Sequence, residues 1–169
     1  MARRHDDPMR SAMTVLILPE PPGQPDVLLL LAQSDAYMAG LYPAESNHML
    51  DAQALARPHV RFFVARREGR PALGCGALVL HDGGWAEIKR LFVGPQARGQ
   101  GLGRLLLGRL EACAREEGVR AVRLETGIHQ PEALALYETA GYARRGPFGR
   151  YGPDPYSVFM EKRLGDEAG

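Results

Sequence analysis

The sequence predicts a single α+β domain: a mixed, mostly antiparallel sheet of about six or seven strands flanked by about four helices. Three observations predict it. Between residues 60 and 93, strand-like apolar runs are broken only by the turn sequences Glu68-Gly69 and Asp82-Gly83-Gly84, the pattern of an antiparallel meander. After residue 101 the apolar spacing becomes helical, and a strand, a helix and two further strands follow. The chain has 169 residues, enough for one core at ~100–200 residues per domain, and no repeat or second-domain linker divides it.

The elements follow in order. Residues 1–12 are charged and aperiodic, and with 165–169 they are expected to be tails around a domain at 13–164. Met13 to Leu18 reads as a strand stopped by Pro19, Pro21 and Pro22. Asp26 suits the N-cap of a helix from Val27 to about Met38, with Gly40 ending it. Tyr42 to Asn47 is turn chemistry, and a short helix is expected over Met49 to Ala56. The meander comprises Val60–Arg66, Ala72–Leu80 and Ala86–Val93. From Gly101 to Glu117, Leu102, Leu105, Leu106, Leu110 and Cys113 mark an apolar helix face, with Arg104, Glu111 and Arg115 opposite; Gly118 ends this helix. Arg120 to Glu125 alternates as a strand, and Pro131 opens a helix to about Ala140, closed by Gly141. Tyr142–Arg145 and Tyr156–Lys162 complete the order β-α-(α)-β-β-β-α-β-α-β-β.

Composition excludes several function classes. Hydrophobic residues are 45% of the chain, ordinary for a folded domain, and the longest apolar run, Val27 to Ala32, is far too short to span a membrane. Lys plus Arg is 21 against 20 for Asp plus Glu, so no general attraction to nucleic acid or an acidic membrane surface is implied. Cys75 and Cys113 stand apart in apolar runs and read as reduced core residues, and the histidines show no metal-ligand spacing. No signal peptide is evident, so a cytoplasmic protein is expected.

The most informative stretch runs from Val93 to Arg104. A strand ends, the turn Arg98-Gly99-Gln100-Gly101-Leu102-Gly103-Arg104 follows, and an amphipathic helix begins at once. Free amides at a helix start, added to the positive end of its dipole, suit a pyrophosphate; glycines admit the phosphates closely and Arg98 and Arg104 add charge. A P-loop is excluded because no Gly-Lys-Ser/Thr follows, and the dinucleotide fingerprint fails at Arg104, where it needs glycine.

Arg98-x-x-Gly101-x-Gly103 resembles the R/Q-x-x-G-x-G/A signature of the GNAT superfamily, the acyl-CoA-dependent N-acetyltransferases. A second stretch, Gln130-x-x-Ala133-x-x-Leu136-Tyr137-x-x-x-Gly141-Tyr142, is similar to that superfamily's N-x-x-A-x-x-L-Y-x-x-x-G-F, with Gln130 in place of Asn and Tyr142 in place of Phe. The resemblance covers about residues 60–164. It implies acetyl-CoA as cofactor, bound by Leu91, Phe92, Val93, Arg98, Gly99, Gln100, Gly101, Leu102, Gly103, Arg104, Gln130 and Ala133. It also implies that the strand Ala86–Val93 parts from Arg120–Glu125 to admit the pantetheine arm.

Acetyl transfer to an amine requires removal of an ammonium proton, stabilisation of an oxyanion and protonation of the leaving thiolate. The resemblance makes Glu87 the general base and Tyr137 the general acid; the alternatives are a solvent-facing strand carboxylate beside Lys89 or Arg90, and a core aromatic beside Leu134. It also points to Tyr42, Glu45, Ser46, Phe148 and Tyr151 as acceptor-site residues, on the loop after the first helix and on the Gly/Pro-rich segment between the last strands. The expected acceptor is a small-molecule amine or amino acid. A protein or peptide amine and a catalytically silent acyl-CoA sensor are the alternatives. Family habit and the exposed edges of a small sheet suggest a homodimer.

Overall fold

The computed structural model describes residues 14–165. Met1–Met13 and residues 166–169 lie outside the described residues, and with them the expected N-terminal tail, nearly all of the C-terminal one and the first residue of the first strand. The described chain runs β1 (Val15–Pro19), α1 (Pro25–Leu41), α2 (Ala52–Leu55), β2 (Val60–Arg67), β3 (Gly74–His81), β4 (Trp85–Val93), α3 (Leu102–Glu116), β5 (Ala121–Gly127), α4 (Pro131–Thr139), β6 (Ala143–Arg145) and β7 (Ser157–Arg163), with short 3-10 turns at Ala44–Ser46 and Pro95–Ala97. The strands form one sheet in the order β1-β2-β3-β4-β5-β7-β6. Its pairs are antiparallel except β4 with β5, which are parallel because α3 crosses between them. This is the α+β domain that the pattern predicts.

Several boundaries differ from expectation for local reasons. α1 begins at Pro25, where a missing N–H costs nothing, and Asp26 is therefore inside the first turn rather than at the cap. The Asp26 carboxylate instead accepts from Arg66 Nη1 at 2.6 Å and from the Ala72 amide at 2.9 Å. α1 runs through Gly40 to Leu41. The helix expected over Met49–Ala56 is shorter, because Asp51 caps it by accepting from the Ala54 amide at 2.8 Å.

Helices cover both faces of the sheet. On one face α1 buries Val27, Leu30 and Leu31, and α2 buries Leu55, against Phe62, Val64, Cys75 and Ala77. On the other, Leu107, Leu110, Cys113 and Ala114 of α3, with Tyr137 of α4, pack on Leu78, Ile88, Val122 and Leu124. The buried stripe of α3 differs from expectation at two positions. Leu105 is 52% exposed, because the helix turns it off the stripe formed by Leu102, Leu106 and Leu110. Glu111, expected on the polar side, is buried, with its charge met by Lys162 Nζ at 2.8 Å.

Candidate active site

The site begins where two paired strands stop pairing. β4 and β5 are in register only from Trp85–Ala121 to Ile88–Leu124. Beyond that point β5 pairs with β7 and β4 with β3 alone. The parting is built into β4: Arg90 has φ of 56°, and the register against β3 shifts between Cys75 and Ala77, a bulge that turns the strand. The buried Arg90 guanidinium donates to Asp35 Oδ1 at 2.5 Å and to the Leu31 carbonyl at 3.4 Å, tying this bend to α1. Opposite the bulge stands Gly76, where a Cβ would lie 3.0 Å from Leu110 Cδ1 and 3.3 Å from Leu91 Cδ1.

Two clefts open at the gap. The larger, about 480 Å³, runs from Leu91, Phe92 and Val93 across the start of α3 to Gln130, Ala133, Leu136 and Tyr137. Gly101 precedes α3 with φ of 75°, and no side chain caps the helix. The larger cleft also contains Arg98, Gly99, Gly101, Leu102, Gly103 and Arg104; among the described residues neither guanidinium forms an ion pair. A smaller cleft of about 100 Å³ lies beyond the gap, lined by Met38, Ser46, His48, Met49, Lys89, Arg90, Glu125 and Thr126 among others. Tyr37, Leu91, Phe92, Gln130, Ala133 and Tyr137 line both.

Most of the residues expected at a cofactor site come together in the larger cleft. Gln100 does not line it; its Oε1 accepts from Arg67 Nη2 at 3.2 Å. Gln130 lines both clefts, while its Oε1 accepts from the Gly127 amide at 3.2 Å and from Tyr42 Oη at 3.3 Å. Tyr137 stands at the junction, 7% exposed, and burial together with the Glu125 charge pushes its phenol further above its ordinary range. It is protonated at neutral pH.

The residues expected at an acceptor site are more scattered. Ser46 lines the smaller cleft and Glu45 is exposed on the same turn, outside both. Tyr42 is a strut: its hydroxyl also accepts from the His129 amide at 3.0 Å, and it sits where a Cβ on Gly127 would be. Phe148 is buried against Trp85, Tyr151 and Phe159. Glu87, on the still-paired part of β4 opposite Arg123, lines neither cleft; its buried carboxylate accepts from Tyr151 Oη and lies 3.3 Å from Lys89 Nζ.

Comparison with known proteins agrees with this geometry. Residues 28–142 match the acetyltransferase (GNAT) family. The chain belongs to that family. An IAA acetyltransferase of Azospirillum brasilense is 54% identical over 151 residues, 89% of this chain and 98% of that protein. A Klebsiella pneumoniae structure described as an acyl-CoA N-acyltransferase superposes with a TM-score of 0.75 at 42% identity, over 90% of this chain and 99% of the other. The PaiA N-acetyltransferase of Thermoplasma acidophilum, crystallised in complex with coenzyme A, shares the fold with a TM-score of 0.70 at 17% identity, over 90% and 100% of the two chains.

GNAT proteins take their acyl group from acyl-CoA, and the larger cleft fits one. The start of α3, which no side chain caps, suits a pyrophosphate, with Arg104 on it and Arg98 before it, packed over the Tyr37 and Phe92 rings, to add charge, and the released edge of β4 at Leu91–Val93 offers backbone groups to an extended arm. The GNAT motifs did not point to Glu125. It ends the alternating stretch of β5, lines the smaller cleft, and is half-buried with Ser157 Oγ donating to it at 3.2 Å. Burial raises its pKa to about 7; Lys89 and the Ser157 bond oppose the rise, while Glu87 and Asp154 add to it. A carboxyl at the C-terminal end of a strand beside a parting sheet was the available signal.

Proposed function

We propose that the protein is an acetyl-CoA-dependent N-acetyltransferase that acetylates a primary amine of a small molecule or amino acid by direct attack in a ternary complex. One observation supports this: the two clefts meet at the strand gap and share six lining residues, an arrangement suited to holding donor and acceptor side by side for direct attack. In this reading the backbone of Leu91–Val93, the start of α3, Arg98 and Arg104 hold the coenzyme. Bound acetyl-CoA supplies an activated thioester. Glu125, facing the acceptor cleft with a pKa near neutrality, takes the ammonium proton. Tyr137 holds a proton at its Oη where both clefts meet, placed to protonate a leaving thiolate, and the second proton shed by the acylated nitrogen would restore it. Glu87, behind Lys89 and Tyr151, supports the base from outside the cleft. A homodimer and a cytoplasmic location belong to the same proposal; no helix among the described residues is long and apolar enough to cross a membrane.

The test is thiol release from acetyl-CoA across a panel of amines and amino acids, with IAA included because the 54% identical relative carries that name. Turnover on a primary amine is expected. Tight acetyl-CoA binding with no turnover on any acceptor would favour the silent sensor. Glu125→Gln should lower kcat/KM about 10²–10⁴-fold and abolish the rise in activity between pH 6 and 8, since the base must be ionised. Tyr137→Phe should lower kcat with little change in KM for the amine. If Glu125→Gln retains wild-type turnover and pH profile, the base lies elsewhere.

A further inference from the structure

Lys89 has a role that the GNAT motifs do not assign. Its side chain is 13% exposed, on the last residue of β4 before the bulge. The ammonium donates to the His48 carbonyl at 2.7 Å and to Tyr151 Oη, and Glu87 Oε2 lies 3.3 Å away. His48 belongs to the segment between α1 and α2, and Tyr151 to the one between β6 and β7. The two segments also touch each other. The His48 and Tyr151 rings meet edge to face with centroids 5.3 Å apart, Ser46 hydrogen-bonds Asp154, and His48 Nε2 is 4.0 Å from the Asp154 carboxylate. Ser46, His48 and Lys89 all line the smaller cleft.

We propose that Lys89 is a positioning residue: one ammonium clasps both loops of the acceptor site to β4 while acting on the Glu125 carboxylate in the same cleft. The chemistry supports a dedicated role. Two donors of the ammonium meet different loops, a carbonyl on one and a phenol on the other, and the buried Glu87 carboxylate on its own strand pairs with the charge at 3.3 Å. Glu87 is then the buried counter-charge to Lys89, both side chains being largely withdrawn from solvent. The electrostatic half rests on the assignment of Glu125 as base; the clasp does not. The groups acting on Glu125 come from several elements. Lys89 and Glu87 lie on β4, Ser157 on β7 and Asp154 on the β6–β7 segment. Glu125 in turn acts on Tyr137 of α4, on Tyr151 and on Tyr42.

The full-length protein tests both halves. Lys89→Met should raise KM for the amine about tenfold or more, leave the Kd for acetyl-CoA within about twofold, and move the acid limb of the pH–rate profile up by about one unit, because an opposing charge is gone. Amides of residues 43–51 and 146–156 should exchange hydrogen faster, and Lys89→Arg should restore most of the loss. Because the single change leaves Glu87 buried with only His81 Nε2, 3.5 Å away, as a basic neighbour, the double variant Glu87→Gln/Lys89→Met provides a neutral control. It should still loosen both loops, but with the acid limb nearly unmoved, since charges of both signs are removed. Unchanged loop exchange in the double variant overturns the clasp. An acid limb that moves equally in the single and double variants overturns the electrostatic role. A wild-type profile in Glu125→Gln defeats the base assignment instead, and the loop exchange still reads the clasp.

Discussion

Arg90 carries two oddities at once: it is a non-glycine residue at positive φ, and it is a buried cation whose partner faces water. Its side chain is 3% exposed and that of Asp35 is 55% exposed. The pair is therefore asymmetric. Asp35→Ala strands a guanidinium in the interior and should cost about 3 kcal/mol. Arg90→Met leaves only a hydrated carboxylate behind and should cost about 1 kcal/mol. Urea midpoints at unchanged m-value check the order; equal losses would mean that the bend, not the charge, sets the cost. The same scale shows what a motif reading reaches. Tyr137 falls where the spacing puts it, because helical periodicity fixes its face. Glu87 and Glu125 are both carboxylates on the same face of adjacent strands. Which of them lines the cleft depends on where pairing between the strands stops, and that is set by a bulge no local pattern announces.

At the scale of elements, the start of α3 is the most legible feature and the most testable. Its glycines alternate because the chain must turn through positive φ at Gly99 and Gly101 before the helix can begin. A Cβ on Gly101 meets nothing within 4 Å, so Gly101→Ala clashes with no protein atom. Its cost to folding is confined to the left-handed conformation, about 1 kcal/mol. If a pyrophosphate approaches this turn, the same methyl should weaken acetyl-CoA binding about tenfold or more while the melting temperature falls by only about 2–4 °C. Calorimetric titration beside a melting curve separates the two, and an unaltered Kd would place the phosphates elsewhere. The meander was legible for a comparable reason: turns with glycine at positive φ, Gly69, Gly83 and Gly84, punctuate short apolar strands. Helix ends were less so, since a proline at N1 and a tertiary pull on Asp26 from Arg66 override the capping preference of the isolated segment. The acceptor loops were least legible. Tyr42, which looked like a substrate contact on a loop, is consumed in fastening Gly127 and Gln130, a long-range contact that spacing along the chain cannot encode.

Over the whole molecule, the carboxylates divide by sign, and stability should follow that division. Glu161 is held below its ordinary range by hydrogen bonds and charge from Arg123 and Arg145, so its contribution is present above the unfolded pKa and disappears as pH falls through the folded one. Glu20 and Asp26 act in the same direction, their partial burial outweighed by Arg66. Glu125 works oppositely. Its pKa rises from 4.5 to about 7, so between those values the folded state binds more proton than the unfolded one, and stability falls as pH rises through that window. Fully ionised, Glu125 costs the fold on the order of 3 kcal/mol. The unliganded protein should therefore be most stable near pH 5 and melt at progressively lower temperature toward pH 7.5. Glu125→Gln should flatten that decline and be more stable than wild type at pH 8, while being much less active there. If Glu125 is the base, such a decline is the stability given up to keep a carboxylate poised in the smaller cleft at neutral pH. Melting curves of both proteins from pH 4.5 to 8 decide it: parallel declines would assign the pH dependence to other groups and remove the physical basis for Glu125 as a base.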